Sequence, residues 1–307
     1  MRNHVINKIV ELAGDDSRIS LVTSDLGFGV VEGFQQSYPE RFINVGISEQ
    51  AMTSVAAGLA LEGMIAFTYS IGNFPTLRCI EQIRNDVCYH NANVKVIAVG
   101  SGFAYGQLGM SHHATEDIAA MRALPNMRVF TPADPEEAVA ALLEAYHTDG
   151  PCYIRLGKNG EPRLHPEIPC TDIRKAITLR EGAEVNILAA GTVLSEAKKA
   201  AEILNEKGIG TGVYSFPTVK PIDEEKILHL AEKSKILVTI EEHNEIGGFG
   251  GAVAEVTAGM SGNRAKLIRV GLPDVYTGIV GNQDYLRDFY GINAEKVAIR
   301  VEKELGV

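Results

Sequence analysis

Residues 44–63 read NVGISEQAMTSVAAGLALEG, and the organisation of the chain can be worked outward from them. Asn44 and Val45 close an apolar β-branched run, and Gly46 permits a tight turn. Ser48 can then cap a helix that begins at Glu49. Ala51, Ser54, Ala56, Ala57, Gly58 and Ala60 are small enough to let that helix pack closely. Strand, turn and helix in this order put Glu49 in a first helical turn at the C-terminal edge of a parallel sheet, where α/β folds bind ligands. The helix dipole alone also favours an acid there, so position by itself does not assign Glu49 a role.

The same alternation extends in both directions. Strands are predicted at Ile19–Thr23, Phe42–Asn44, Ile65–Thr68, Val94–Val99, Met127–Phe130 and Cys152–Leu156. Helical patterns cover Ser48–Leu61, Pro75–Tyr89, Thr115–Arg122 and Pro135–Tyr146. Residues 157–182 hold three prolines and three glycines and lack periodicity until Ala176–Leu179, so they read as a connection. A second alternation follows. Its strands are Val185–Ala189, Gly212–Tyr214, Ile236–Ile240 and Lys266–Val270, with helices at Leu194–Lys207, Asp223–Ser234, 247–259 and a C-terminal stretch that includes Asn293–Glu302. Short buried strands between amphipathic helices predict two open, mostly parallel α/β domains. The expected division is 1–165, a linker over 166–182, and 183–307.

Composition narrows the function classes. The 307 residues are 45% hydrophobic and 22% charged, the balance of a globular enzyme. A net charge of -10 without a basic stripe argues against nucleic acid. Cys79, Cys88, Cys152 and Cys170 form no C-x-x-C pair, which suggests neither a zinc site nor a disulfide framework, and a reducing, cytoplasmic location is expected. The N-terminal MRNHVINKIVELAGDD lacks the apolar run of a signal peptide, and no stretch has the length of a membrane span.

NVGISEQ followed by AAGLAL closely resembles the pyrimidine-binding domain of transketolase-like, thiamine-diphosphate-dependent enzymes. These are the transketolases, deoxyxylulose-phosphate synthases and β subunits of 2-oxo acid dehydrogenases. The resemblance implies that Glu49 hydrogen-bonds N1′ of the cofactor's aminopyrimidine, with Ile47 beside it. Proton sharing there favours the 4′-imino tautomer, which takes the proton from thiazolium C2. In FTYSIGNFPTLRCIEQIRNDVCYHNANVKV (67–96) it implies an aromatic stacked on that ring, Phe74 first and Tyr69 second. Arg78, Glu81 and Asp86 read as interface or solvated residues.

Residues 100–138, GSGFAYGQLGMSHHATEDIAAMRALPNMRVFTPADPEEA, resemble the same family throughout. His112 matches a histidine of the substrate channel that can donate to a carbonyl oxygen or developing alkoxide. His113 stands where transketolases usually carry glutamine. Leu108 departs from an acidic residue that contacts a sugar hydroxyl, and an apolar side chain cannot accept that bond. For an acceptor phosphate, YIRLGKNGEP offers Lys158, and Arg155 more weakly. TIEEHNEIGGFGGAVAE (239–255) resembles the family's C-terminal domain. Its glycines read as turn and helix-packing positions, and Glu241, Glu242 and His243 as interface or domain-packing residues.

The Gly-Asp-Gly and following Asn that hold the diphosphate's Mg2+ in this family have no counterpart; the nearest is Ala-Gly-Asp-Asp at 13–16. The resemblance spans nearly the whole chain but only the last two of three transketolase domains. It implies a C-terminal transketolase subunit, inactive alone, whose N-terminal partner supplies the diphosphate and Mg2+ site in an α2β2 assembly acting on sugars. Two alternatives stay open: the β subunit of a 2-oxo acid or acetoin dehydrogenase, and a non-catalytic scaffold paralogue.

Overall fold

The computed structural model describes residues 1–168, 172–262 and 264–307. Cys170 and part of the 166–182 segment lie outside the described residues. In chain order the strands are β1 (Ile19–Thr23), β2 (Phe42–Asn44), β3 (Ile65–Ile71), β4 (Val94–Val99), β5 (Arg128–Phe130) and β6 (Cys152–Leu156). Then come β7 (Ile177–Arg180), β8 (Val185–Ala190), β9 (Thr211–Ser215), β10 (Thr218–Lys220), β11 (Ile236–Asn244) and β12 (Lys266–Leu272). One sheet has seven strands in the order β10-β5-β6-β4-β3-β1-β2 and the other five, β12-β11-β8-β9-β7. Both are parallel apart from one antiparallel edge strand each, β10 against β5 and β7 against β9. β1, β4, β6, β8 and β9 are buried along their whole length, as strands covered on both faces must be.

Register brings the loops together. Thr23 lies opposite both Asn44 and Tyr69, and Ile71 lies opposite Val99. The chain therefore leaves β1, β2, β3 and β4 at one edge of the sheet. The helix Glu49–Leu61 begins there, and so do the turn at 72–76 and the loop at 100–113.

Three expectations change. Residues 177–180, expected within the connection, form β7; its alternating burial is that of a half-covered edge strand. Thr218–Lys220 was not foreseen: it leaves its sequence neighbours and pairs with Phe130 and Val129 of the other sheet, a tertiary choice that three residues cannot announce. The helix expected at Pro75–Tyr89 is instead a 3-10 turn (Leu77–Cys79), one α-turn (Ile80–Gln82) and a π-helix (Ile83–Cys88).

The two sheets share a core. Val96 and Val129 of one belong to the same apolar cluster as Leu188 and Leu237 of the other, with Met52 and Phe249 from the helices that cover them. Cys79, Cys88 and Cys152 are buried free thiols. Among the described residues no helix is long and apolar enough to cross a membrane.

Candidate active site

Glu49 opens the Glu49–Leu61 helix and is only 3% exposed. Ser48 occupies the N-cap position, but its side chain makes no capping bond. The Glu49 carboxylate is met instead by Arg78, whose Nη1 donates to Oε2 at 2.6 Å. The same guanidinium lies over the Phe74 ring, 4.5 Å from its centroid. Phe74 in turn meets the His112 ring edge to face, with centroids 5.1 Å apart. Three residues singled out from sequence, Glu49, Phe74 and His112, thus join one cluster, with Arg78 as the link between the first two.

Read from sequence as an interface or solvated residue, Arg78 gives no hint of this link. Phe74 lies in the turn at 72–76 and Arg78 in the 3-10 segment Leu77–Cys79 that follows, so the fold of this turn, rather than helical spacing, brings the guanidinium over the ring.

His112 is half-buried, and its Nδ1 lies 3.1 Å from Ser111 Oγ. Burial first, and the neighbouring His113 second, lower its pKa, so the ring is neutral near pH 7. His113 has a different place. It is 1% exposed, with Nε2 3.0 Å from the Gly106 carbonyl and its ring edge-on to Phe103. It fastens the 100–113 loop from beneath rather than lining a channel. Asn73 Nδ2 donates to the His113 carbonyl at 2.8 Å, which ties the turn beside Phe74 to that loop.

The remaining residues scatter. Ile47 is 83% exposed and Leu108 56% exposed, both at the loop edge. Tyr69 is buried in β3, where its ring closes against Gly27 and burial pushes its phenol pKa up; it does not reach the cluster. The exposed Lys158 places Nζ 4.9 Å from the Tyr105 ring centroid, at the wall of a cavity of about 500 Å³ between the two sheets.

Arg155 corrects the sequence expectation most sharply. It is buried, paired with Asp117 Oδ2 at 2.7 Å, and its Nη2 donates to the Ala114 and Glu242 carbonyls at 2.7 and 3.1 Å. At 3% exposed in a strand covered on both faces, Arg155 has little reach toward a phosphate in solvent.

Of the unassigned β11 residues, Glu242 and His243 tie the second sheet to the first. Glu242 accepts from the Phe103 amide in the 100–113 loop, and also from Arg287 Nε at 2.6 Å and Gln283 Nε2 at 2.9 Å. His243 Nε2 accepts from Ala119 N at 3.3 Å, while Nδ1 donates to the Asn244 carbonyl at 2.7 Å. That pair of bonds fits a neutral ring, and burial pushes its pKa down to about 4. Glu241 accepts the Phe249 and Gly250 amides at 2.6 and 2.8 Å, at the start of the helix Phe249–Ala258. The glycines here act in packing: a Cβ on Gly248 would meet Glu241 and His243. Among the described residues no group of three or more His, Cys, Asp and Glu side chains could hold a metal ion.

Residues 1–161 match the family model "Transketolase, pyrimidine binding domain", and residues 174–297 match "Transketolase, C-terminal domain". A Methanocaldococcus jannaschii protein provisionally described as a transketolase C-terminal section is 39% identical over 99% of this chain and 96% of its own length. A 6-deoxy-6-sulfo-D-fructose transketolase subunit of Clostridium sp. (strain MSTE9) is 38% identical over 97% of this chain and 92% of its own. A solved structure titled "Split gene transketolase, inactive beta4 tetramer" is 38% identical and superposes with a TM-score of 0.88, covering 98% of this chain and 96% of that one.

Proposed function

The chain belongs to the transketolase family, and from that premise we propose that it is the C-terminal subunit of a split transketolase, moving a two-carbon ketol unit from a ketose to an aldehyde. The observation that carries this reading is the convergence of Glu49, Phe74 and His112 on one cluster. The similarity to a transketolase subunit and to a split-gene transketolase supports it. The division into 1–165, 166–182 and 183–307 belongs to the same proposal, supported by family matches that end at 161 and resume at 174.

The cluster fits an aminopyrimidine. A buried carboxylate and an aromatic face already hold a planar, delocalised nitrogen group between them, in the form of the Arg78 guanidinium. When bound, thiamine diphosphate supplies the electron sink for breaking the carbon–carbon bond beside a ketone. This chain's part is positional and electrostatic. Glu49, held in a dry first helical turn, keeps a proton shared at pyrimidine N1′. Phe74 supports the ring from one face, and Ile47 adds apolar contact at the same edge. His112, neutral and carried on the loop beside Phe74, donates to the oxygen that develops charge on the substrate.

Leu108 leaves no acceptor for a sugar hydroxyl at its position, so the acceptor pocket is less polar there. Lys158 offers an anionic substrate group a point charge. His113, Arg155 and Tyr69 serve the fold around these groups.

The diphosphate and its Mg2+ fall to an N-terminal partner, in an α2β2 assembly, and this chain alone is inactive. The printed description of the split-gene relative, an inactive β4 tetramer, is consistent with that. The test is reconstitution with the product of a reading frame that carries the Gly-Asp-Gly…Asn motif. Ketol transfer from a ketose to an aldehyde should appear only with both chains and the cofactor present. Turnover by this chain alone would refute the split-site reading. Acyl transfer from a 2-oxo acid to lipoamide, without ketol transfer, would replace it with the dehydrogenase reading.

A further inference from the structure

Glu49 is a carboxylate almost wholly out of water, and such a group is costly unless paired. Its partner is Arg78, which is itself half-exposed, its side chain retaining 47% of its accessible surface. The guanidinium makes two contacts at once: Nη1 at 2.6 Å from the carboxylate, and its central carbon 4.5 Å from the centroid of Phe74. Both groups are the ones assigned above to the aminopyrimidine. Phe74 has its other neighbour, His112, arranged edge to face, so Arg78 takes up stacking room on the ring.

We propose that Arg78 is a built-in stand-in for the cofactor's pyrimidine: it fills the Glu49–Phe74 clamp in the free subunit and swings to solvent when the ring enters. This rests on the reading of Glu49 and Phe74 as the pyrimidine subsite. The chemistry favours arginine over lysine for the role. A guanidinium is planar and delocalised and carries its N–H donors in its own plane, as an aminopyrimidine carries its amino group and ring nitrogens. An ammonium could pair with Glu49 but could not lie flat on Phe74. The long aliphatic stem and the half-exposed side chain let Arg78 leave without disturbing the 3-10 turn that carries it.

The balance of the exchange is modest. An ion pair with one half-exposed partner and one cation–π contact together change a ligand's affinity by roughly tenfold. That is enough to weaken cofactor capture by the lone subunit, and small enough for an assembled site with further contacts to overcome.

The test uses the full chain, wild type and the variants Arg78→Ala and Arg78→Gln, each checked for native unfolding behaviour. The probes are the free aminopyrimidine 4-amino-5-hydroxymethyl-2-methylpyrimidine and ethylguanidinium, followed by NMR titration. The expected result is that both variants bind the aminopyrimidine about tenfold tighter than wild type, and that ethylguanidinium competes it away. Equal aminopyrimidine affinity in wild type and variants, abolished by Glu49→Gln, would overturn the stand-in while leaving the pyrimidine subsite intact. Binding of ethylguanidinium without aminopyrimidine would overturn the pyrimidine reading beneath it. Binding of neither probe to the variants would overturn both.

Discussion

Arg155 is the residue on which the sequence and the structure make opposite forecasts, so replacing it with methionine is an informative perturbation. The change keeps most of the side chain's length and removes three polar contacts: to Asp117 Oδ2 at 2.7 Å, to the Ala114 carbonyl at 2.7 Å and to the Glu242 carbonyl at 3.1 Å. Arg155 and Asp117 retain only 2% and 0% of their side-chain surface, so Asp117 has no solvent contact of its own to offset the loss. Asp117 keeps a single side-chain donor, the Tyr153 hydroxyl.

Removing one partner of a buried pair costs about 3–5 kcal/mol. Native chains of ordinary stability have about 5–15 kcal/mol in total. The loss should therefore be plain in urea unfolding of the isolated chain at pH 7, and close to 4 kcal/mol if Asp117 stays ionised (about the middle of that range). The double variant Arg155→Met/Asp117→Asn removes the stranded charge as well. A cycle through Asp117→Asn should show the two sites coupled by at least about 2 kcal/mol. A single-variant loss below about 1 kcal/mol, of the size of an exposed pair, would refute the strut argument. So would unchanged stability with a raised KM for phosphorylated acceptors in the reconstituted enzyme.

Two further outcomes follow from the junction and the loop. His243 is held neutral with its pKa pushed down to about 4 from an ordinary 6.5. The unfolded chain therefore takes up the proton first, and its contribution to stability is complete above 6.5 and lost as pH falls toward 4. His243→Gln should flatten that fall by about 2 kcal/mol between pH 7 and pH 5, read as the wild-type-minus-variant difference in urea unfolding. A difference that does not change with pH would show that His243 is not held neutral. His113→Ala removes the bond to the Gly106 carbonyl and the edge contact with Phe103. Amide exchange across 101–113 should quicken by about 30-fold, equivalent to roughly 2 kcal/mol of lost local stability. Protection equal to wild type would return His113 to the channel.

What the sequence made legible was whatever one segment decides alone. Runs such as ISLVT and VKVIAV are apolar throughout because their strands are covered on both faces, and their positions agree with the structure to the residue. Glu49, Phe74 and His112 each sit in a local motif, and the structure brings the three into one cluster. Pairings across long separations were not legible. Arg155 in YIRL looks like an available cation until Asp117, 38 residues away in the chain, is seen against it. Thr218–Lys220 joins a strand nearly 90 residues earlier, which no periodicity of its own could indicate. Arg78 escaped notice for a related reason: its role comes from Glu49, 29 residues before it, as much as from Phe74 beside it.

The central claim is that Glu49 serves a cofactor's pyrimidine in a site completed by a second chain. The most direct measurement is ketol transfer by the reconstituted pair carrying Glu49→Gln, an isosteric change that keeps the helix start and removes the ionisable proton site. The account predicts normal assembly with the partner, and turnover lowered by about 10²–10⁴-fold, the range lost with a general acid–base group. Wild-type turnover in the Glu49→Gln pair would contradict it.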